Sequence, residues 1–289
     1  SRLIAIILLA SLLVGLPAAY WLHNAEQKVV SKESRIITVE KGASMRAFAS
    51  QLVAEQMLDE PWSFRFWARY RGLSSALKAG EYLVEPETTM QELLQLVTSG
   101  KVIDYPVTFI EGWSFSQLRE ALSGQEKLRQ TTSGLADSAV MEMLGAAGVH
   151  PEGRFYPDTY HYTASMSDID ILRQAYQKMR NLLADEWEKR AKNLPLESSD
   201  EALILASIIE KETGAVEERS LIAGVFVNRL RKGMRLQTDP TVIYGMGENY
   251  KGNIRKKDLL TDTPYNTYTR SGLPPTPIAM PGGDAIRAA

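Results

Sequence analysis

The sequence predicts an α+β protein with an apolar N-terminal segment, a small α+β unit and a larger domain rich in helices. Three observations predict this organisation. Residues 3–22 carry no charge, residues 34–101 alternate strand-like and helix-like patterns, and residues after 167 show a series of amphipathic helices with marked starts. At 289 residues the chain is long enough for two domains with separate cores.

Composition excludes several classes of function. The hydrophobic fraction is 44%, the charged fraction is 24% and the net charge is -2, which gives no reason to expect nucleic-acid binding. The chain has no cysteine, so disulfides, thiolate zinc sites, a cysteine nucleophile and a lipoprotein anchor are excluded. The histidines are His23, His150 and His161, without metal-ligand spacing. We therefore expect no metal and no cofactor.

The N-terminal segment is predicted to be a membrane anchor. Residues 3–22 are long enough to cross a bilayer, Arg2 precedes them, and Tyr20 and Trp21 lie at their far end like an aromatic belt. The alternative is a signal peptide cleaved near Ala19. Both predict that the rest of the chain is exported. We assign residues 1–22 to a transmembrane anchor and the polar residues 23–33 to a stalk.

Residues 34–101 are predicted to form a small α+β unit. A strand at 36–39 is followed by a helix capped by Ser44, a helix beginning at Pro61, a strand at 80–84 and a helix opened by the capping box of Thr89 and Glu92. The order strand, helix, helix, strand resembles a LysM-like module, which in other proteins binds glycan. A structural spacer is an equal alternative. The aromatic residues of the second helix are interpreted as core: Trp62, Phe64, Phe66 and Trp67.

Residues 102–289 are predicted to form the second domain. The patterns indicate a strand over 102–110, a helix after Ser114 with looser helical structure to Gly148, a long helix over 168–192 and another over 217–231. In the last of these, Leu221 and Val225 are expected to face inward. The loop 152–160 combines aromatic and acidic residues, which suits a carbohydrate groove, although from composition alone an ordinary packed loop is the favoured interpretation.

The stretch 198–214 organises this domain. Ser198 with Glu201 predicts a capping box, and Gly214 predicts a left-handed helix end. At about 100° per residue, Glu212 falls on the apolar face and Glu210 on the opposite, solvated side. Partial desolvation of Glu212 would favour its protonated form, which is the condition of a general acid. The alternative is that the last turn simply emerges into water.

Loops after this helix offer polar groups for a ligand. Asp239 before Pro240 is a good helix start, so capping is a strong alternative role for it. Gln237 and Thr238 precede it and are free to point at a ligand. The loops 263–269 and 272–278 are rich in hydroxyls and proline, which would hold a site rigid.

Several motifs in one order resemble the endolytic murein transglycosylase, YceG-like family. They are Ser207-Ile-Ile-Glu-Lys-Glu-Thr213, Asn228-Arg-Leu230, Leu236-Gln-Thr-Asp-Pro-Thr-Val-Ile-Tyr-Gly245, Tyr265-Asn-Thr-Tyr268 and Gly272-Leu-Pro-Pro275. The resemblance implies a lysozyme-like catalytic domain over 102–289 with one catalytic glutamate, which is Glu212 here. It also leads us to expect that the family's domain continues beyond residue 289.

The resemblance implies cleavage of the β-1,4 bond between N-acetylmuramic acid and N-acetylglucosamine in peptidoglycan, without water, leaving 1,6-anhydro ends. The implied partners are glycan strands, the bacterial inner membrane and a peptidoglycan synthase, with the catalytic domain outside the cytoplasm. A hydrolytic muramidase would need a second acid, for which Asp239, Asp158 and Glu152 are candidates without a distinctive signal. A non-catalytic tethered scaffold is the other alternative. The candidate substrate-binding residues are Gln237, Thr238, Asp239, Tyr265, Asn266, Tyr268, Tyr156 and Asp158.

Overall fold

The computed structural model describes residue 24 and residues 26–289, so the predicted anchor lies outside the described residues. Within the described part, no helix has the length and apolarity needed to span a membrane. The chain divides into two compact units, one of residues up to 105 with 163–165, the other of 106–162 and 166–289. Both contain helices and a two-stranded sheet, which confirms the predicted α+β class.

The first unit has its elements in the predicted order. They are β1 (Arg35–Val39), α1 (Met45–Ala54), α2 (Pro61–Tyr70), β2 (Gly80–Val84) and α3 (Met90–Ser99). β1 and β2 are antiparallel, with Ile36 opposite Leu83 and Ile37 opposite Tyr82. Successive side chains of a strand point to opposite faces. Ile37 and Tyr82 are therefore buried in the core, while Ile36 and Leu83 are exposed on the other side of the sheet.

The helix boundaries of this unit follow the capping residues. Ser44 accepts a hydrogen bond from the amide of Ala47, and Thr89 and Glu92 form the predicted capping box. Gly100 ends α3 in the left-handed conformation, with φ 80°. One prediction is only half right: Phe64 and Trp67 of α2 are buried, but Trp62 and Phe66 are exposed.

Strand β3 (Tyr105–Thr108) lies at the start of the second unit, all but its first residue belonging to that unit, which is dominated by helices. The elements after β3 are α4 (Phe115–Ser123), α5 (Asp137–Met143), β4 (Thr159–Tyr162), α6 (Asp168–Lys189), α7 (Ser199–Glu212), α8 (Val216–Arg231), α9 (Asp239–Met246), a 3-10 turn (Gly247–Asn249), α10 (Lys256–Leu260) and α11 (Gly283–Ala288). β3 pairs with β4, a strand that the sequence did not reveal.

Helix α7 lies at the centre of the second unit. Every residue from 202 to 209 is buried, and α6, α8, α9 and α11 all contact the helix. Each fully buried Leu or Ile side chain contributes about 1.5–3 kcal/mol relative to exposure, so Leu205, Ile208 and Ile209 hold the end of α7 firmly in the core. The residues at its C-terminus therefore project from a rigid support.

Helix α8 does not bury the face that the sequence predicted. Leu221 is 73% exposed and Val225 is 45% exposed, whereas Ala223, Phe226 and Val227 are buried. The prediction for Leu221 and Val225 was therefore wrong. Because α8 packs along α7 and α11, the buried stripe is set by those neighbours.

Candidate active site

The ends of α7 differ in detail from the prediction. Ser198 accepts from the amide of Glu201 at 3.3 Å, but the Glu201 carboxylate reaches the amide of Glu197, so only half of the capping box forms. At the other end the helix stops at Glu212, and Thr213 is extended with φ -150°. The prediction that Gly214 ends the helix in a left-handed conformation is wrong, since Gly214 is not among the glycines with positive φ.

The side chain of Glu210 is buried, and the prediction that it is solvated is wrong. Its carboxylate pairs with Arg219 of α8 at 2.9 Å, and only 5% of its side chain is exposed. Its other oxygen accepts from the amide of Gly282 at 2.9 Å. Burial raises the pKa of Glu210, against the opposing effects of the Gly282 amide and of Arg219. Because α8 folds back against α7, the face predicted to be in water is covered, and Glu210 fixes the chain at Gly282.

Glu212 is exposed at the last position of α7, so the prediction of a desolvated carboxyl is also wrong. The helix ends at this residue, and the apolar stripe below it does not extend past Ile209. The hydroxyl of Thr238 donates to Oε1 of Glu212. The two glutamates do have different environments, but in the reverse sense: Glu210 is bound inside the fold and Glu212 is accessible to a ligand.

A cluster of buried hydroxyls holds Thr238 in place. The Thr238 amide donates to Oγ1 of Thr267 at 3.1 Å, and the hydroxyl of Thr241 donates to the Thr238 carbonyl at 2.8 Å. Thr241 and Thr267 are 2.8 Å apart through their hydroxyls. Sequence reasoning missed both residues, although each lies inside a motif already singled out. Thr238 therefore orients Glu212 and has little surface of its own for a sugar, being 3% exposed.

Gln237, Asp239 and Tyr268 lie around this hydroxyl cluster. Gln237 is exposed and has a positive φ of 52°, an uncommon conformation for a residue with a side chain. The Tyr268 hydroxyl donates to Oδ1 of Asp239 at 2.5 Å. Burial, together with the negative charges of Asp239 and Glu212, raises the pKa of Tyr268 to about 12, so Tyr268 remains a hydrogen-bond donor at neutral pH.

The alternative role of Asp239 as a helix cap is wrong. Thr238 occupies the cap position of α9, without a side-chain hydrogen bond, and Asp239 is the first helical residue. A carboxylate there is favoured by the partial positive charge of the helix N-terminus. The exposed side chain of Asp239 instead faces Tyr268.

Asn266 and Tyr265 have structural contacts. The buried amide nitrogen of Asn266 donates to the carbonyls of Asp258, Leu259 and Thr261, and its oxygen accepts from the amide of Tyr268. Asn266 is only 1% exposed, so its side chain holds this loop together and presents almost no surface to a substrate.

Tyr265 is half-buried, packs edge-on against Tyr244 with ring centroids 4.9 Å apart, and shares a hydrogen bond of 2.8 Å with Thr276. It thus supports the loop that carries Thr276.

Glu152 belongs to the same buried layer. Its carboxyl accepts from the amide of Phe115 at 3.0 Å and from the hydroxyl of Tyr244 at 3.1 Å, and only 4% of the residue is exposed. Burial raises the pKa of Glu152 to about 7. It therefore supports Tyr244 and has no access to a ligand as a second acid.

Tyr156 and Asp158 both contact Lys178. Asp158 forms an ion pair with Lys178, whose ammonium group also lies 4.8 Å from the ring centroid of Tyr156. Among the described residues no hydrogen bond joins either side chain to Glu212, Thr238 or Tyr268. Nor does any group of three or more His, Cys, Asp or Glu residues in the described ranges have the geometry of a metal site.

The comparisons with known proteins identify the family of the chain. The model of the YceG-like family matches residues 37–289. The chain belongs to the YceG-like family. An endolytic murein transglycosylase of Bacillus subtilis is 30% identical over 276 residues, which are 90% of this chain and 76% of that protein. A Streptococcus pneumoniae protein of the same name is 27% identical, and the chain spans about half of its length (52%).

A solved structure gives the same result for the fold. The crystal structure of a YceG-like protein from Listeria monocytogenes matches with a TM-score of 0.54 and 30% identity, covering 90% of both chains. The resemblance inferred from the motifs is thereby confirmed for this YceG-like chain.

Proposed function

We propose that this chain is an endolytic lytic transglycosylase of peptidoglycan. It cleaves the β-1,4 bond between N-acetylmuramic acid and N-acetylglucosamine and leaves 1,6-anhydro-N-acetylmuramic acid ends. Its curated relatives are named endolytic murein transglycosylases. The observation that carries the proposal is the exposed carboxyl of Glu212, oriented by Thr238 at the end of a buried helix.

One carboxyl is enough for this reaction. Glu212 gives its proton to the glycosidic oxygen as the bond to C1 of the muramic acid breaks. The resulting carboxylate then takes the proton of the C6 hydroxyl, whose oxygen attacks C1 and closes the anhydro ring. No water enters, and the nucleophile is already attached to the reacting sugar, which gives it a high effective concentration.

The arrangement of the other acids supports this reaction over two-carboxylate hydrolysis. A hydrolase needs a second carboxyl beside the cleaved bond. Asp158 pairs with Lys178, Glu152 is 4% exposed, and Asp239 accepts from Tyr268. We assign Gln237, Asp239 and Tyr268 to holding the sugar, and Thr238 to orienting the acid.

We further propose how the rest of the chain serves this activity. Residues 1–22 anchor the protein in the bacterial inner membrane, 23–33 are a stalk, and 34–101 form a LysM-like unit that orients glycan without cutting it. Residues 102–289 carry the cleavage outside the cytoplasm. Placed beside a peptidoglycan synthase, such an enzyme would end the elongation of nascent strands. Membrane fractionation with N-terminal sequencing tests the anchor, since a mature protein starting near Tyr20 would contradict it.

The decisive experiment digests purified glycan with the full-length protein and analyses the products by mass spectrometry. Anhydro-muramic ends that disappear in Glu212→Gln support the proposal. Reducing ends would indicate a hydrolytic muramidase. Glycan that is bound but not cleaved by the folded protein would indicate a scaffold.

A further inference from the structure

Helix α2 of the first unit presents three aromatic side chains to solvent. Trp62 is 49% exposed, Phe66 is 42% exposed and Tyr70 is 66% exposed, and they follow one another at intervals of four residues. Side chains four apart lie on one face of a helix. The rings of Phe66 and Tyr70 are nearly parallel, with an interplanar angle of 9° and centroids 6.3 Å apart. We call Trp62, Phe66 and Tyr70 the aromatic face of α2.

Two arginines lie beside the aromatic face. Arg65 and Arg69 are exposed, and neither forms a salt bridge within the described residues. A helix with aromatic residues beside uncompensated cations is typical of one that lies in a membrane interface. The opposite side of α2 is buried in the core through Phe64 and Trp67, so the fold already fixes which side faces outward.

The chain that leaves the predicted anchor passes next to α2. Glu26 pairs with Arg71, which directly follows the helix, and Lys28 pairs with Asp59, which lies two residues before it. Glu26 is largely shielded by this contact, its side chain being 12% exposed. Only residues 23–25 separate Leu22 from Glu26, and an extended chain spans roughly 14 Å over that interval. The helix is thus tied to the point where the anchor ends.

We propose that the aromatic face of α2 docks on the outer surface of the bilayer in which residues 3–22 are anchored. In this arrangement the three rings insert among the lipid headgroups, while Arg65 and Arg69 donate hydrogen bonds to lipid phosphates. The inference rests on the anchor proposed above, because the anchor brings α2 to the membrane.

The charge of this face favours a lipid surface over a glycan strand. The aromatic face borders a groove whose lining also includes Met45 and Ser74. Its neighbouring charges are arginines, which suit phosphates, and α2 carries no carboxylate that could accept sugar hydroxyls. Docking would also fix the orientation of the first unit relative to the membrane plane.

A single-cysteine experiment tests the proposal on the full chain, which has no cysteine of its own. Phe66→Cys is labelled with an environment-sensitive fluorophore, and the protein is reconstituted in phosphatidylglycerol–phosphatidylethanolamine liposomes containing nitroxide lipids. The matched control is Ile36→Cys, which is 52% exposed on the outer face of the β1–β2 sheet. Since an interfacial helix buries its apolar face roughly 5–10 Å, we expect lipid quenching at position 66 to be at least about twofold stronger than at position 36.

A charge reversal and a flotation assay complete the test. Arg65→Glu with Arg69→Glu, in the Phe66→Cys background, should lower the quenching while circular dichroism stays unchanged. Liposome flotation reports the anchor separately. Failure to float would overturn both the anchor and the docking face. Flotation with equal quenching at positions 66 and 36 would overturn the proposed docking of α2 and leave the anchor standing. A probe at position 66 that responds to soluble glycan strands and not to lipid would have the same meaning.

Discussion

Replacing Glu210 with Gln removes the negative charge that faces Arg219 and keeps the shape of the side chain. Both side chains are nearly inaccessible, at 4% exposure for Arg219 and 5% for Glu210. Removing one partner of a buried ion pair typically costs about 3–5 kcal/mol, because the remaining charge stays buried without its partner. Glu210→Gln is therefore expected to destabilise the fold.

For Glu210→Gln the expected loss of unfolding free energy is smaller than about 3–5 kcal/mol, for two reasons. Glu111 at 3.4 Å and Asp284 at 4.0 Å also face Arg219 and compensate part of its charge. In addition, Gln avoids the cost of burying a carboxylate and can still accept from the Gly282 amide. We expect a loss of about 2 kcal/mol in the free energy of unfolding, which corresponds to a fall of about 4–8 °C in the melting temperature for a domain of this size.

Glu212→Gln is the matched control, two residues away in the same motif. Glu212 is exposed, so its replacement should change the stability by less than about 0.5 kcal/mol. The amide of the introduced glutamine cannot supply the proton to the leaving oxygen, so the rate of cleavage should fall by about 100- to 10,000-fold. Glu210→Gln should keep most of its activity well below its melting temperature.

In each full-length variant, calorimetry measures the stability, and the release of anhydro-muramic products from purified glycan measures the activity. We expect Glu210→Gln to lose stability and keep activity, and Glu212→Gln to lose activity and keep stability. If Glu210→Gln abolished cleavage at unchanged melting temperature, Glu210 would be the acid. If Glu212→Gln turned over like the wild type, the end of α7 would not be the catalytic site.

Three further predictions concern the support of this site. Thr238→Val removes the hydroxyl that donates to Glu212. Because one hydrogen bond to a charged group is lost, kcat should fall about tenfold while circular dichroism stays unchanged. An unchanged kcat would argue against orientation of Glu212 by Thr238. Tyr268→Phe leaves Asp239 without its donor and should raise KM more than it lowers kcat if Tyr268 holds the sugar, whereas a loss confined to kcat would contradict that role. Glu152 has a folded pKa of about 7, above its ordinary 4.5, so its stabilising effect is complete below pH 4.5 and is lost as pH rises to 7. At about 1.36 kcal/mol per pH unit, the loss of unfolding free energy between pH 4.5 and 7 is roughly 3 kcal/mol. Glu152→Gln should abolish this loss when unfolding by denaturant is measured across the same pH range. If the variant lost as much stability with rising pH as the wild type, the effect would belong to another group.

The sequence predicted helix starts well because the signals are local. The cap at Ser44 and the capping box at Thr89 form as expected, since each involves a side chain and an amide three residues apart. The sequence also identified the family and the helix that carries Glu212. Such features depend on residue types within one segment or on several motifs in order.

The environments of the two glutamates could not be predicted in the same way. A helical wheel shows which residues share a face, but it does not show which face another element covers. Glu210 is buried because Arg219 and Gly282, 9 and 72 residues away, pack onto it. The same limit explains Leu221, which looks like core and is exposed, and Asn266, whose amide is used by three nearby carbonyls.

The exposed position of Glu212 is consistent with a polymeric substrate. The carboxyl is open to water and is positioned by the hydroxyl of Thr238. The buried side chains of α7 end at Ile209, so a glycan strand can lie across Glu212 without disturbing the core. The two glutamates of one motif therefore have separate tasks. Glu210 pairs with Arg219 inside the fold and stabilises the scaffold, whereas Glu212 is left accessible to the substrate.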